Sequence, residues 1–154
     1  MSELGAQVVA LDIQERAIQS TQQRVEGRNV TLHCMSHVTF PPLTAPPRLI
    51  VYNLGYLPGG DKHRTTLTQT TLLSLQEAER ILAVDGAISI TCYSGHEEGE
   101  KEERAVLQWA KELSSSQWLV SHHSWLNRPH SPSLLWLRRS GSPDKGQYVY
   151  FDLT

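Results

Sequence analysis

Apolar positions along this chain follow two alternating spacings. Short runs of apolar and β-branched residues predict strands, whereas apolar positions three or four residues apart predict helices. The predicted strands cover 7–12, 30–34, 49–52 and 87–93, and the predicted helices cover 13–25, about 68–84 and a stretch that ends at about 113. Strands that alternate with helices are typical of an α/β domain with a mainly parallel sheet.

The end of the chain follows a different pattern. Two further strands are predicted from Trp118 to Trp125 and from Leu134 to Leu137. A short loop that contains Pro129 and Pro132 joins them, and without a helix between them the two strands should be antiparallel. We therefore predict one α/β domain over 1–139, and a segment over 140–154 that is either a tail or an edge strand.

Composition narrows the class of protein. A chain of 154 residues with 39% hydrophobic and 19% charged residues is typical of one globular domain. The net charge of −2 excludes a strongly basic chain, although it leaves room for a local basic patch. Without a targeting segment or an apolar run of membrane-spanning length, the chain is predicted to be cytoplasmic or organellar and to bind no membrane.

The residue types that hold metals are scattered here. Cys34 and Cys92 each lie in a predicted strand, which predicts buried, reduced thiols. His122 and His123 are neighbours in a strand and should point to opposite faces, so they are a weak metal site. Acidic residues at 98, 100, 102 and 103 crowd the start of the third helix, where the helix dipole favours them as a solvated helix entry. No metal site is predicted.

The segment Asn53 to Lys62, with the sequence NLGYLPGGDK, is the most informative stretch. It directly follows a predicted buried strand, and ligands of open α/β sheets bind beyond the carboxyl ends of strands. Asn53 can donate and accept hydrogen bonds, Tyr56 offers a flat ring, and glycines let the backbone approach a ligand closely. The same residues are also ordinary in a tight strand-to-helix turn.

Three segments together resemble one known family. VALDIQERAI at 9–18, NLGYLPGGDK at 53–62 and YSGHEEG at 93–99 closely resemble three signatures of the MnmM family, the YtqB-like proteins. The resemblance extends from about Val8 to Arg138. It implies a Rossmann-like class I methyltransferase sheet with an antiparallel last strand pair. It also implies S-adenosylmethionine as cofactor, the anticodon stem-loop of tRNA as partner, and N-methylation of the 5-aminomethyl group of a wobble uridine or 2-thiouridine.

One feature of the family pattern has no counterpart in this sequence. Family members open with a strand and a glycine-rich loop of the D-A-T-x-G-N-G type that holds the methionine end of the cofactor. The implied strand order is 3-2-1-4-5-7-6, so the strands at 7–12 and 49–52 should flank a vacancy about 9.6 Å across, twice the usual strand spacing of about 4.8 Å.

Three outcomes of that vacancy are expected: the two edges pair, another chain supplies a strand, or the chain folds only in part. We accordingly expect marginal stability, association that includes a homodimer, and no binding of S-adenosylmethionine at micromolar concentrations. The alternative function is that of a catalytically inactive, truncated isoform that acts as an interaction module.

The resemblance also assigns the cofactor contacts. Asp12 at a strand end would accept hydrogen bonds from the ribose hydroxyls, and Ile13 would pack on the adenine face. Ser36 and His37 follow the next strand, where such folds contact adenine. A helix cap is the structural alternative for Asp12, and an ordinary loop histidine is the alternative for His37.

Catalysis and substrate binding are assigned to the second and third segments. Asn53 would orient the target amine next to the cofactor, Tyr56 would stack on the base, and His96 would accept a proton or contact substrate. A helix-capping residue is the alternative for His96. Further substrate contacts are implied for Gly59, Gly60, Asp61, Lys62 and Tyr93. Phosphate contacts are implied for two basic clusters, Lys62 to Arg64 and Arg128 with Arg138 and Arg139.

Overall fold

The computed structural model describes residues 5–54, 67–128 and 131–140. Its strands are β1 (Val8–Asp12), β2 (Val30–Cys34), β3 (Leu49–Asn53), β4 (Ala87–Cys92), β5 (Trp118–His123) and β6 (Ser133–Arg139). Its helices are α1 (Glu15–Arg24), α2 (Thr68–Ile81) and α3 (Glu97–Glu112). The predicted alternation of strand and helix is confirmed, and no helix of the described ranges is both long and apolar enough to cross a bilayer.

Helix α2 ends three residues before the predicted boundary at 84. Leu82 takes extended backbone angles, with φ −62° and ψ 138°, and its side chain enters the core. Ala83 N then donates to Pro47 O at 3.0 Å. The helix therefore stops where a tertiary hydrogen bond and core packing redirect the chain.

The strands form two separate sheets. Strands β1 and β2 pair in parallel, and the other four strands form a sheet in the order β3-β4-β6-β5. In that sheet β3 and β4 are parallel, whereas β6 is antiparallel to both β4 and β5. The predicted antiparallel last pair is confirmed, as is the expectation of a break in the sheet between the strands at 7–12 and 49–52. Within the described ranges β1 does not pair with β3, so the two edges have not closed on each other.

The hydrophobic core belongs to the four-stranded sheet. Alternate residues of β3, β4 and β6 point to the face that α2 and α3 cover, and their side chains are almost fully buried. The large apolar residues with no exposed surface, among those described, are Leu75, Ile88, Ile90, Val106, Leu135 and Leu137. The opposite face of the sheet carries half-exposed apolar side chains, namely Val51, Leu119, Leu134 and Trp136.

The unit formed by β1, α1 and β2 is much less enclosed. No residue of α1 is buried, and every residue of β1 is only partly buried. Cys34 at the end of β2 is exposed, so the prediction of two buried thiols is wrong for Cys34 and right for Cys92.

The acidic start of α3 is not wholly solvated, as the sequence had suggested. Glu102 is only 3% exposed, and Thr71 Oγ1 of α2 donates to its Oε1 at 2.6 Å. Glu102 lies one turn before Val106 and two turns before Ala110, on the stripe that faces the core. Its carboxylate therefore joins α2 to α3.

Candidate active site

A cleft of about 530 Å³ separates the two sheets. Residues 6–12 line one side and residues 49–54 line the other, with His37, Phe40 and Leu43 between them. Asp12 and Asn53, the last residues of β1 and β3, both border it. Two polar side chains that were predicted to act on cofactor and substrate therefore share one cavity at strand ends.

Asn53 is held by a residue of the neighbouring strand. Tyr93 directly follows β4, and its Oη donates a hydrogen bond of 3.0 Å to Asn53 Oδ1. A carbonyl oxygen has two acceptor sites, so Oδ1 keeps one for a further donor. Because the Tyr93 hydroxyl donates to Oδ1, the contact also defines which side of the amide carries the acceptor. The predicted site residues Asn53 and Tyr93 are thus brought together.

Asp12 serves the local fold and the cleft at once. Its Oδ1 accepts a hydrogen bond of 2.7 Å from Gln14 N, at the residue before α1. Asp12 therefore caps the helix, as the structural alternative predicted. This hydrogen bond uses only one of its two carboxylate oxygens. Ile13 follows with 59% of its surface exposed, which leaves a branched apolar side chain open to a ligand.

Ser36 and His37 follow β2 as predicted, but only His37 lines the cleft. Ser36 Oγ accepts from Val38 N at 3.3 Å in a local turn. Burial lowers the pKa of His37, and its ring meets that of Tyr52 edge to face at 6.3 Å. His37 Nε2 is buried and lacks a hydrogen-bond partner among the described residues. A neutral imidazole with an unused nitrogen is suited to accept or donate one hydrogen bond to a bound base.

Comparison with known proteins decides the family. Residues 8–139 match the protein family described as "Putative rRNA methylase". This chain belongs to that family.

A curated relative in Arabidopsis thaliana is named "tRNA (mnm(5)s(2)U34)-methyltransferase, chloroplastic". The two sequences are 38% identical over 143 residues, which covers 86% of this chain and 52% of the relative. The chain therefore spans about half the length of that protein.

Solved structures of similar proteins have the same fold. A Clostridium thermocellum protein described as "putative rRNA-methylase" superposes with a TM-score of 0.80 at 28% identity, over 86% of this chain and 75% of that one. A Streptococcus mutans protein described as "a putative methyltransferase", in complex with SAH, superposes with a TM-score of 0.76 at 31% identity, over 86% of this chain and 76% of that one. The fold is therefore that of class I methyltransferases, with a mixed sheet.

The start of α3 explains the family segment at 93–99. His96 Nδ1 accepts a hydrogen bond of 3.0 Å from Gly99 N and so caps the helix. This is the helix-capping role that was given as the alternative for His96. A Cβ atom at position 99 would collide with the Tyr93 carbonyl oxygen. Gly99 thus lets the helix start pack directly on the backbone of the tyrosine that contacts Asn53.

Several predicted substrate residues lie outside the described ranges. They are Tyr56, Gly59, Gly60, Asp61 and Lys62, together with His63 and Arg64 of the first basic cluster. Their assignments stay predictions. The described ranges contain no group of three or more histidine, cysteine or acidic residues placed to hold a metal.

The second basic cluster is divided by the sheet. Arg138 and Arg139 are neighbours in β6, and their side chains point to opposite faces. Arg139 lies over the Trp118 ring at 5.2 Å and donates to Glu79 O, so it fastens β6 to α2. Arg138 and Arg139 therefore do not lie together on one face of the sheet, and the phosphate contacts of the cluster with Arg128 stay a prediction.

Sequence reasoning missed the contacts that hold the His37 loop. Ser74 Oγ donates to His37 O at 2.6 Å, and it lies 2.8 Å from the Tyr52 hydroxyl. Burial raises the pKa of Tyr52 to about 12, so the hydroxyl stays protonated. Ser74 and Thr71 lie on the buried side of α2, beside Leu75 and Ala78. Buried hydroxyl groups are nearly always hydrogen-bonded, so their place on this apolar stripe could have indicated that both have partners.

Proposed function

We propose that this chain carries the active site of an S-adenosylmethionine-dependent methyltransferase that N-methylates the 5-aminomethyl group of a wobble uridine in tRNA. Family membership and the name of the Arabidopsis relative support the reaction. The SAH bound to the Streptococcus mutans protein supports the cofactor, since SAH is what S-adenosylmethionine becomes after it gives up its methyl group. The chloroplastic relative supports action in an organelle or the cytoplasm, where tRNA is present.

The hydrogen bond from Tyr93 to Asn53 is the observation that carries this proposal. A neutral amine needs an acceptor for its N–H, so that its lone pair points at the methyl group it attacks. Asn53 Oδ1, fixed by Tyr93, offers that acceptor at a strand end that borders the cleft. Alignment of two reactants in this way contributes up to about 7–11 kcal/mol to lowering a barrier.

The described residues also fit the cofactor. Asp12 keeps a second carboxylate oxygen for a ribose hydroxyl, and His37 Nε2 is a buried polar atom that needs a partner. Ile13 adds an exposed apolar surface for a ring face. When bound, S-adenosylmethionine would supply an activated methyl group, and these residues would hold its nucleoside half.

The second candidate function is a non-catalytic interaction module. The break between β1 and β3 favours it, because among the described residues no strand joins the two edges that border the cleft. The two candidates differ in one measurable property, which is transfer of a methyl group to tRNA.

A single-turnover assay tests the proposal. The chain, in excess over tRNA that carries 5-aminomethyluridine, is mixed with millimolar labelled S-adenosylmethionine, and nucleosides are analysed by mass spectrometry. We expect methylation of the wobble nucleoside, slowed about 10²–10³-fold by Asn53→Ala, the scale for loss of one positioned transition-state contact.

Asn127→Ala, at an exposed turn, is the matched control and should leave the rate unchanged. Asp12→Ala should act on the cofactor alone and weaken its binding by about 1.5–3 kcal/mol. If the unaltered chain transfers no more label than Asn53→Ala does, the proposal is overturned in favour of the interaction module.

A further inference from the structure

The loop that follows β5 begins at the same edge of the sheet as Asn53. Strand β6 is antiparallel to both β4 and β5, so β5 runs in the same direction as β3 and β4. The register defines one row of paired residues across the four strands, made of Asn53, Thr91, Leu134 and His123. The residues after His123 therefore leave the sheet at the edge that carries the candidate active site.

A turn in this loop exposes an aromatic ring and a positive charge. Arg128 N donates to Trp125 O at 3.4 Å, which closes a turn of four residues. The first and last Cα atoms of such a turn lie within about 7 Å of each other. Trp125 has 64% of its surface exposed, and Arg128 is exposed as well. An indole ring and a guanidinium group thus extend into solvent from neighbouring positions.

The sequence around this turn contains no acidic residue. Residues 113–143 include three arginines, three histidines and no aspartate or glutamate, although the whole chain has a net charge of −2. Within the described ranges, no carboxylate forms an ion pair with Arg128. The turn is therefore locally positive and attracts a negatively charged partner.

The turn lies too far from Asn53 to contact the nucleoside that is held there. In the order β3-β4-β6-β5, three strand spacings of about 4.8 Å separate β3 from β5, which gives about 14 Å. A partner that reaches both places must be extended, as a nucleic acid strand is. Unpaired RNA bases are recognised by stacking on aromatic side chains, and phosphates are contacted by basic ones.

We propose that Trp125 stacks on an unpaired base that flanks the target nucleoside in the anticodon loop of tRNA, while Arg128 contacts a phosphate next to that base. The inference rests on the proposed function for the identity of the RNA. It assigns to the turn a role in binding and none in methyl transfer. An apolar docking point for another protein would need neither the adjacent guanidinium nor the shared edge with Asn53, so RNA is the favoured partner.

Equilibrium binding of an anticodon stem-loop RNA tests the contact with Trp125. The RNA carries 5-aminomethyluridine and a fluorescent label, and cofactor is omitted so that anisotropy reports binding alone. Trp125→Leu should raise Kd at least about fivefold, because base stacking on an aromatic ring is lost. Trp125→Phe keeps a ring and should recover most of the affinity. If the two variants bind equally, no base stacks on this ring and the proposal is overturned.

Tryptophan fluorescence gives a second measurement at the same residue. Trp125 is far more exposed than Trp118, at 4%, and more exposed than Trp136, at 39%. A base stacked on the indole should quench its emission, so saturating RNA should quench the unaltered chain more strongly than Trp125→Phe. The same fractional quenching in both proteins would place the base elsewhere and contradict the proposal.

The salt dependence of binding tests the contact with Arg128. Each phosphate contact with a single strand contributes about 0.7 to the slope of log K against log salt concentration. Arg128→Ala should make the slope less steep by about that amount, whereas Arg128→Lys keeps the charge and the slope. Trp125→Leu should lower the affinity without changing the slope, since a stacked ring releases no counterions. An unchanged slope in Arg128→Ala would overturn the phosphate contact.

Two controls separate this contact from general effects on the loop. Asn127→Ala alters a middle residue of the turn, leaves the ring and the guanidinium in place, and should bind the stem-loop like the unaltered chain. A fully paired RNA of equal length should bind Trp125→Leu and the unaltered chain equally, because its bases are stacked within the helix. A loss in Asn127→Ala as large as in Trp125→Leu would assign the effect to loop conformation and overturn the proposal.

Failure of this inference differs measurably from failure of the proposed function. If Trp125→Leu binds the stem-loop normally while the unaltered chain methylates it, the reaction stands and the exposed ring is left for a protein partner. If Trp125→Leu binds weakly and no methyl group is transferred, the RNA contact stands without the reaction. An unaltered chain that binds the stem-loop no better than paired RNA overturns the contact with an unpaired base.

Discussion

The two sheets of this protein differ in how they are stabilised. Among the described residues the four-stranded sheet buries four apolar side chains completely under α2 and α3, whereas the unit of β1, α1 and β2 leaves α1 without one buried residue. Hydrophobic stabilisation is roughly proportional to the apolar area removed from water. One region therefore has a core of its own, and the other depends on what lies beside it.

The difference shows why local pattern does not guarantee local stability. Both regions alternate strand and helix, and both form the predicted elements. Within the part of the chain that the structure describes, β1 and β2 nevertheless form a two-stranded sheet, which is marginal without further packing. Its contacts with the larger sheet run through the loop of His37 and Phe40.

The largest expected effect comes from the core of the four-stranded sheet. Leu135→Ala should lower the free energy of unfolding by about 2–5 kcal/mol, because it opens a cavity at a site with no exposed surface. Leu32→Ala, at a half-buried position of β2, should lower the free energy of unfolding by less than about 1.5 kcal/mol. All four tryptophans lie at or after position 109, so urea unfolding followed by tryptophan fluorescence reports on the larger sheet. If both variants lowered the free energy of unfolding equally, the two sheets would not differ in their contribution to stability.

Cysteine labelling compares the two regions within one molecule. Cys34 is exposed, whereas Cys92 is buried, and burial with the nearby Glu103 and Glu102 raises the pKa of Cys92 to about 12. Cys92 should react with a thiol reagent at least about a hundredfold more slowly than Cys34, because it needs both an opening of the sheet and a scarce thiolate. The single variants Cys34→Ser and Cys92→Ser separate the two rates. Comparable rates would show that the larger sheet opens as readily as the smaller.

A smaller effect is expected at the junction of α2 and α3. Thr71→Val removes the hydroxyl that donates to buried Glu102, and should cost about 1–3 kcal/mol of folding free energy. Thr71→Ser keeps the hydroxyl and serves as the control in the same urea titration. A loss as large in Thr71→Ser as in Thr71→Val would assign the effect to packing of the methyl group.

The smallest effect is expected from His37, where the two regions meet. Burial lowers the pKa of His37 below the ordinary value of 6.5, so folding favours the neutral ring. Its contribution is complete above pH 6.5 and is lost as the pH falls through the lowered value, because the unfolded chain then binds the proton more tightly. Between pH 7.5 and 5, Tm should fall by a few degrees more in the unaltered chain than in His37→Asn. Parallel curves for the two proteins would exclude this contribution.

Much of the site could be inferred before the fold was known. Asp12 and Asn53 follow apolar runs, and parallel strands bring their carboxyl ends to one edge of a sheet. The residues that hold Asn53 and His37 were harder to infer. Tyr93 lies 40 positions from Asn53, and Ser74 lies 37 positions from His37. Such pairs depend on how elements pack, and local periodicity carries no information about that.

The sequence by itself determined the kinds of elements, their order and the antiparallel last pair, because side-chain periodicity and loop length act locally. Tertiary structure alone decided which polar side chains became buried. Glu102 shares its acidic neighbourhood with solvated residues, yet the stripe that it occupies turns it toward Thr71. Arg138 and Arg139 are identical in type and adjacent in sequence, yet Arg138 is exposed to solvent whereas Arg139 lies over the Trp118 ring. The reason is that successive side chains of a strand point to opposite faces, and helices cover only one face of this sheet.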